Sequence, residues 1–360
     1  MRKAGFGHLG PLGAAVLVLT ATLFSEGSAV ASSPTWGTAV SLAGPVWQFP
    51  APVTGLGYAG PGRLWVFLSR RAILPPDRVW EVDTAHRRVL LRVSLGGAAD
   101  AFGTSPDGAA YAVQGVRLAE LWRGRRAMYR LPEGVKVVAL SAQSHDAVWL
   151  AFRLGLTGRV EVGLYHLPDE VMTYAHHIAG MANEGVEALA AAPGGAWVVS
   201  APRPVLYWVP AVGGPSTYTK LYATAFFPSD AKALAGIAVN AHGQGWLSGT
   251  ATNGHRVVWH IAGVRGPGKA ILLPGVVNVV AKGLAVAPNG IGYVGFSAVG
   301  GTSGYPGVAG VSPVGKALAS VWRQLAIPGG GVGPLLLTPT GQLWGGMPFS
   351  RLVLSLRSHA

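Results

Sequence analysis

A short hairpin unit recurs along nearly the whole chain and constrains the fold more than any other feature. One copy reads Leu284-Ala-Val-Ala-Pro-Asn-Gly-Ile-Gly-Tyr-Val-Gly-Phe296: an apolar strand, a Pro-x-Gly turn and an aromatic strand. Pro288 supplies the fixed φ of the second position of a type I turn, Asn289 suits the third, and Gly290 takes the closing position at little steric cost. With the aromatic of the second strand as marker, copies fall at Trp65, Tyr111, Trp149, Trp197, Trp246, Tyr293 and Trp344, separated by 38 to 51 residues. Three positions before the marker stands Gly62, Gly108, Gly194, Gly243, Gly290 or Gly341, and only the third copy departs, with Asp146.

Two weaker strand candidates follow each hairpin. They are clearest in the first copy, where residues 78–83 and 88–95 flank the turn Thr84-Ala-His-Arg87, and later copies place them within 121–131, 162–178, 205–222, 257–273 and 308–327. Four strands per copy and seven copies at this period imply an all-β, seven-bladed β-propeller. The seventh copy offers a third strand at Arg351 to Arg357 and no fourth, while Gly44 to Pro50 precedes the first copy in the register of a fourth strand. The N-terminal strand is therefore expected to close the last blade, which removes long free edges. The marker aromatics are expected to pack between neighbouring blades. Trp80, Trp122, Trp208, Trp259 and Trp322 are expected in the core of the outer strands.

Arg2 and Lys3 precede an apolar run from Pro11 to Phe24 and the small-x-small site Ala29-Val30-Ala31. This reads as a signal peptide over residues 1–31, cleaved after Ala31, with a linker at 32–43 and one propeller domain at 44–360. The apolar run is shorter than the ~20 residues a spanning helix needs, so an extracellular monomer with no retained membrane span is expected.

The chain contains no cysteine, which excludes disulfides, thiolate metal sites and Cys nucleophiles, and no cofactor is expected. A net charge of +13 favours anionic partners such as a wall polymer or anionic polysaccharide, against the blander reading of a generally cationic, solvated surface. The low charged fraction, 12 %, also suits an acidic exterior, where carboxylates would protonate.

The repeated Gly-x-Leu/Ala-Trp/Tyr hairpin, as in Gly62-Arg-Leu-Trp65 and Gly341-Gln-Leu-Trp344, resembles the streptogramin-lyase-like, NHL and two-component-regulator group of seven-bladed propellers over roughly residues 44–357. In the lyases of that group a Glu-x-His arrangement in the later blades, a further His and a bound Mg²⁺ carry the elimination. Here no Asp or Glu follows Asp230, so that motif has no match and the resemblance implies architecture alone.

The same absence removes side-chain carboxylates from blades 5 to 7, leaving no base, nucleophile or hard-metal ligand of that type there. Carboxylate candidates elsewhere are Asp169-Glu170, Glu184 and Glu187. Adjacent His176 and His177 would face opposite ways in a strand, so they cannot share one metal without a turn. Neither Gly-x-Ser-x-Gly nor a phosphate-binding Gly-rich loop before a helix is present. Arg70, Arg117, Arg153 and Arg203 fall at second-to-third-strand connections, all on one face of the ring. The run Arg123-Gly-Arg125-Arg126 and the pair Arg87-Arg88 fall on the other. The candidate ligand-binding set is thus Arg70, Arg117, Arg153, Arg203, His177 and Glu187, with catalytic residues unassigned. Two functions follow: a secreted, non-catalytic binding propeller for an anionic surface polymer, or a secreted lyase or hydrolase using His176, His177 or Glu187 at the channel mouth.

Overall fold

A computed structural model describes residues 40–44, 46–72, 74–155, 159–177, 185–211, 223–273, 276–298, 305–315, 317–321 and 331–358. The expected signal peptide lies outside them. The described strands form seven antiparallel sheets arranged in a ring, a seven-bladed β-propeller. Blade 1 spans residues 53–94, blade 2 101–130, blade 3 135–177, blade 4 185–226, blade 5 231–272 and blade 6 276–321; each takes its four strands in chain order from the axis outwards. All seven marker aromatics stand on second strands.

Blade 7 is built from both ends of the chain. Its first three strands are Leu335–Leu337, Leu343–Met347 and Leu352–Ser358, and its outer edge is completed by Val40–Leu42 and Trp47–Gln48. Val40 pairs with Ser358, and Trp47 with Val353. The closing strand thus starts earlier than the expected Gly44, inside the stretch expected as linker. Seven residues of third strand need covering, and a ladder cannot run unbroken through a Gly-Pro pair at positions 44 and 45, because proline has no N–H to donate.

No single core fills the ring. Apolar side chains gather into seven clusters, each between two neighbouring blades, so a blade buries its two faces against two partners. The circle closes where Phe49, Val53 and Leu64 meet Val353 between blades 1 and 7. Trp65, Trp149, Trp197 and Trp246 are fully buried in these layers, as is Trp259 of a third strand; Trp208 of another third strand is buried, while Trp80 and Trp122 are partly covered. Trp322 lies outside the described residues.

Two expected strand limits shift. Arg117 is the first residue of the third strand of blade 2, Arg117–Trp122, rather than part of a loop before residue 121. Arg153 belongs to the second strand of blade 3, Ala147–Leu154. In both cases the ladder continues past the apolar run because a backbone partner is there: Gln114 for Arg117, and Lys136 for Arg153.

Candidate functional site

Antiparallel four-stranded blades place the second-to-third and fourth-to-first connections at one end, here called the loop face, and the tight turns at the other. Bonds between blades fix the same orientation around the ring, since Trp65 Nε1 donates to Gly108 O and Trp246 Nε1 to Gly290 O, each in the first turn of the following blade.

On the loop face, Arg70, Arg117, Arg153 and Arg203 occupy four consecutive blades, 1 to 4. Arg70 Nε binds Asp77 Oδ2 at 2.8 Å, and Arg78 Nε binds Oδ1 of the same carboxylate at 3.1 Å. Burial alone would raise the Asp77 carboxyl, but hydrogen bonds and charge from Arg78 and Arg70 outweigh it and hold the group below its ordinary value. Arg70 is nevertheless 79 % exposed, so its guanidinium still faces water.

Arg117 stands directly opposite Arg130 of the outer strand, and Arg153 directly opposite Lys136 of the inner strand. Like charges opposed across a ladder destabilise a sheet. Arg130 is relieved by Glu133, whose Oε1 lies 2.6 Å from its Nη2. Arg203 is exposed in the connection before Leu206–Pro210, its carbonyl accepting from Ser200 Oγ at 2.8 Å. The four arginines share a face but lie on second and third strands or their connections, so they form an arc around the channel rather than converge at the axis.

Closer to the axis, the inner strands of several blades carry a β-bulge near the loop face. In blade 4, Val186 pairs with Ser200 and Ala188 with Val199, leaving Glu187 unpaired; in blade 5 the skipped residue is Lys232, and in blade 1 Thr54. Such bulges re-aim a side chain. Glu187 is reached by water yet crowded by the wall around it, and that loss of solvation raises its carboxyl above the usual value. Lys136 lies near the same end of the inner strand of blade 3 and is exposed.

His177 ends the outer strand of blade 3 with its Cα opposite Glu161, and His176 is opposite Val162, at consecutive register positions. Asp169 and Glu170 sit on the third-to-fourth turn of blade 3, at the opposite end from Glu187. Glu184 lies outside the described residues. Among the described residues, no group of three or more His, Asp or Glu could hold a metal ion. No helix among them is long and apolar enough to cross a membrane.

The turn face carries a polar network that the hairpin pattern did not flag. Buried Glu120 of blade 2 accepts from Tyr129 Oη at 2.9 Å and, more weakly, from Tyr111 Oη at 3.5 Å. Burial raises the Glu120 carboxyl. Burial and the neighbouring carboxylate push the Tyr129 hydroxyl up to about 12. Asp107 Oδ2 lies 2.8 Å from His145 Nδ1 of blade 3, and Trp122 stacks on that imidazole at 4.1 Å. Arg123 covers the Trp122 ring at 4.4 Å. The network bridges blades 2 and 3, and every acidic member already has a partner, which reads as fastening between blades. Lys136, Lys232 and Glu120 were legible only through pairing: two lie on inner strands, and Glu120 stands opposite the marker Tyr111.

No protein-family model and no curated protein sequence matches the chain. Solved structures do. The Neurospora crassa Pan2 WD40 domain matches at 9 % identity and TM-score 0.60, covering 91 % of this chain and 98 % of that one. Kuenenia stuttgartiensis hydrazine synthase matches at 12 % identity and TM-score 0.60, covering 89 % and 99 %. A propeller called YCF48, solved bound to a peptide, matches at 11 % identity and TM-score 0.58, covering 89 % and 98 %. At such identities the likeness establishes the fold alone: a seven-bladed propeller with WD40-like structural neighbours.

Proposed function

We propose that the chain is an exported, non-catalytic binding propeller whose loop face receives an anionic polymer of the cell surface. The observation that carries this reading is the opposition of like charges on that face, Arg117 against Arg130 and Lys136 against Arg153. The two pairs bring four cationic side chains to one face, and an anionic ligand would complement that concentration of positive charge. The fold supports the reading, since propellers commonly serve as interaction domains, and the repeated hairpin supports a place near the streptogramin-lyase-like and NHL propellers in architecture. The test is retention on immobilised heparin as salt rises. A variant with Arg70, Arg153 and Arg203 all changed to Gln should elute at markedly lower salt, because each phosphate- or sulfate-like contact adds to the salt slope. Unchanged elution rejects the reading.

One observation favours a second reading, a lyase or hydrolase at the channel mouth. The Glu187 carboxyl is accessible, raised by desolvation and without an ion-pair partner among the described residues. A poised acid has this character. An enzyme of the related metal-dependent kind gains thermal stability with Mg²⁺ and loses it with chelator; indifference to both leaves the binding reading standing.

A further inference from the structure

We propose that blade 5 carries a docking site for an extended acidic peptide, which adds as a fifth strand to the open edge of Pro267–Leu272 and seats side chains in the groove beside it. The groove is a cavity of about 650 Å³ between that outer strand and the third-to-fourth turn of blade 6, lined by His260, Lys269, Ile271, Leu272, Pro313 and Val314 among others. Its rim leaves apolar surface in water, with Val314 90 % and Leu272 50 % exposed. Scattered exposed apolar residues are ordinary, but two bordering a groove beside a strand edge form a surface that gains by being covered.

The edge itself decides that the occupant is a peptide. Among the described residues, Pro267–Leu272 is paired on one side only, Val257 with Leu272 and Trp259 with Ala270. Its other side offers the alternating N–H and C=O groups that an extended backbone matches repeatedly and a polysaccharide or nucleic acid does not. Two other edges are guarded: the outer strand of blade 1 carries Arg88 and Arg92, and that of blade 2 carries Arg125, Arg126 and Arg130. Charged side chains on an edge discourage further pairing. In blade 5 the run Ala270-Ile271-Leu272 has no such guard, and the one charge on the strand is Lys269.

Charge decides that the peptide is acidic. Every Asp and Glu of the chain lies at or before Asp230, so blades 5 to 7 present Lys and Arg with no carboxylate to repel an incoming one. The groove also holds an unmet polar atom. His260 Nε2 is buried without a hydrogen-bond partner, the one such side-chain atom among the described residues. The register slips between Trp259 and Ile261, so His260 has no directly paired residue on the outer strand at Gly268 and Lys269. At the matching position of other blades the side chain is satisfied, Glu81 by Arg63 and Glu120 by Tyr129.

The test uses an end-blocked, fluorescein-labelled heptapeptide of alternating valine and glutamate, with two controls: lysine in place of glutamate, and methyl groups on alternate backbone nitrogens. The acidic peptide should bind and slow amide exchange in residues 268–272. Both controls should bind at least about tenfold more weakly, as should the acidic peptide with the K269E variant. Lys269 is exposed, so this variant keeps its fold. The triple arginine variant that tests the loop face should bind the peptide undiminished, which separates the two sites. Absence of binding, equal binding of the methylated peptide, protection confined elsewhere, or loss in the triple variant each overturns the proposal.

Discussion

Trp65 of blade 1 donates its indole N–H to the carbonyl of Gly108 in blade 2, at 2.8 Å. The pattern returns between blades 5 and 6, where Trp246 reaches Gly290 O at 2.9 Å, and in tyrosine form where Tyr111 Oη reaches Ser144 O at 3.2 Å. In these three copies the marker aromatic and the next blade's turn are two halves of one clamp, whereas Trp149 donates instead to Gln143 Oε1 of its own blade at 3.2 Å.

Replacing Trp65 by Phe keeps a buried ring but leaves the Gly108 carbonyl without its donor. The expected loss is about 1–3 kcal/mol, the cost of an unsatisfied buried group plus some lost packing. Urea unfolding should show a lower midpoint at unchanged slope; an unmoved midpoint would mean that the bond contributes nothing.

Gly292 lies under the Trp246 ring of the preceding blade. A Cβ on residue 292 would stand 2.5 Å from Trp246 Cδ1, closer than side-chain atoms approach. G292A should therefore displace the indole, destabilise the chain by about 1–3 kcal/mol as overpacking does, and shift tryptophan emission. A variant with wild-type stability would show that blades 5 and 6 can slide apart to admit a methyl group.

Stability should fall on the acid side. Asp83 accepts hydrogen bonds from the His86 and Ala85 backbone N–H groups and pairs with the His86 ring, which lowers its carboxyl from 3.8 to about 2. A depressed folded value means that its contribution is complete above about pH 4 and is lost as pH falls towards 2. Asp77 and Asp107 act in the same direction. Glu120 and Glu187 run the other way: their raised values make stability drop as pH climbs through them from the ordinary 4.5. Melting temperature against pH should thus decline below pH 4, with D83N flattening that limb and E120Q flattening the slope above 4.5. Such an acid decline argues against the acidic exterior that the low charged fraction suggested.

The closing strand should be indispensable. Val40 is 1 % exposed, its N–H donates to Ser320 Oγ of blade 6 at 3.0 Å, and Tyr293 Oη of that blade meets Ser358 Oγ at 2.5 Å. V40D buries an unpaired carboxylate and should cost upwards of about 3 kcal/mol, read as a lower thermal midpoint and as proteolytic cleavage within residues 343–358. Resistance equal to wild type would show that the seventh blade stands on three strands.

The hairpins were legible because their signals are local. Proline, glycine and an aromatic within a few residues specify turn and register, and all seven markers stand on second strands. Features set by pairing between distant segments were not. The bulges that free Glu187 and Lys232 have no composition of their own; they exist because the inner strand has one residue more than its partner accommodates. The strand positions of Arg117 and Arg153 likewise follow from partners across the sheet, as does the start of the closing strand at Val40. The site was read in part. Four arginines could be assigned to one face from connection order alone, but their opposition to Arg130 and Lys136 appears only once the ladders are known.

Val40 and Ser358 are neighbours in one sheet although nearly the whole chain separates them. The first described segment of the ring therefore has no strand partner until the last strand has been made. Six blades can form as synthesis proceeds, each on the one before, while residues 40–48 wait. Contacts of such sequence separation form slowly. The growing protein is an open arc with an apolar face at either end, and one late event turns it into a circle.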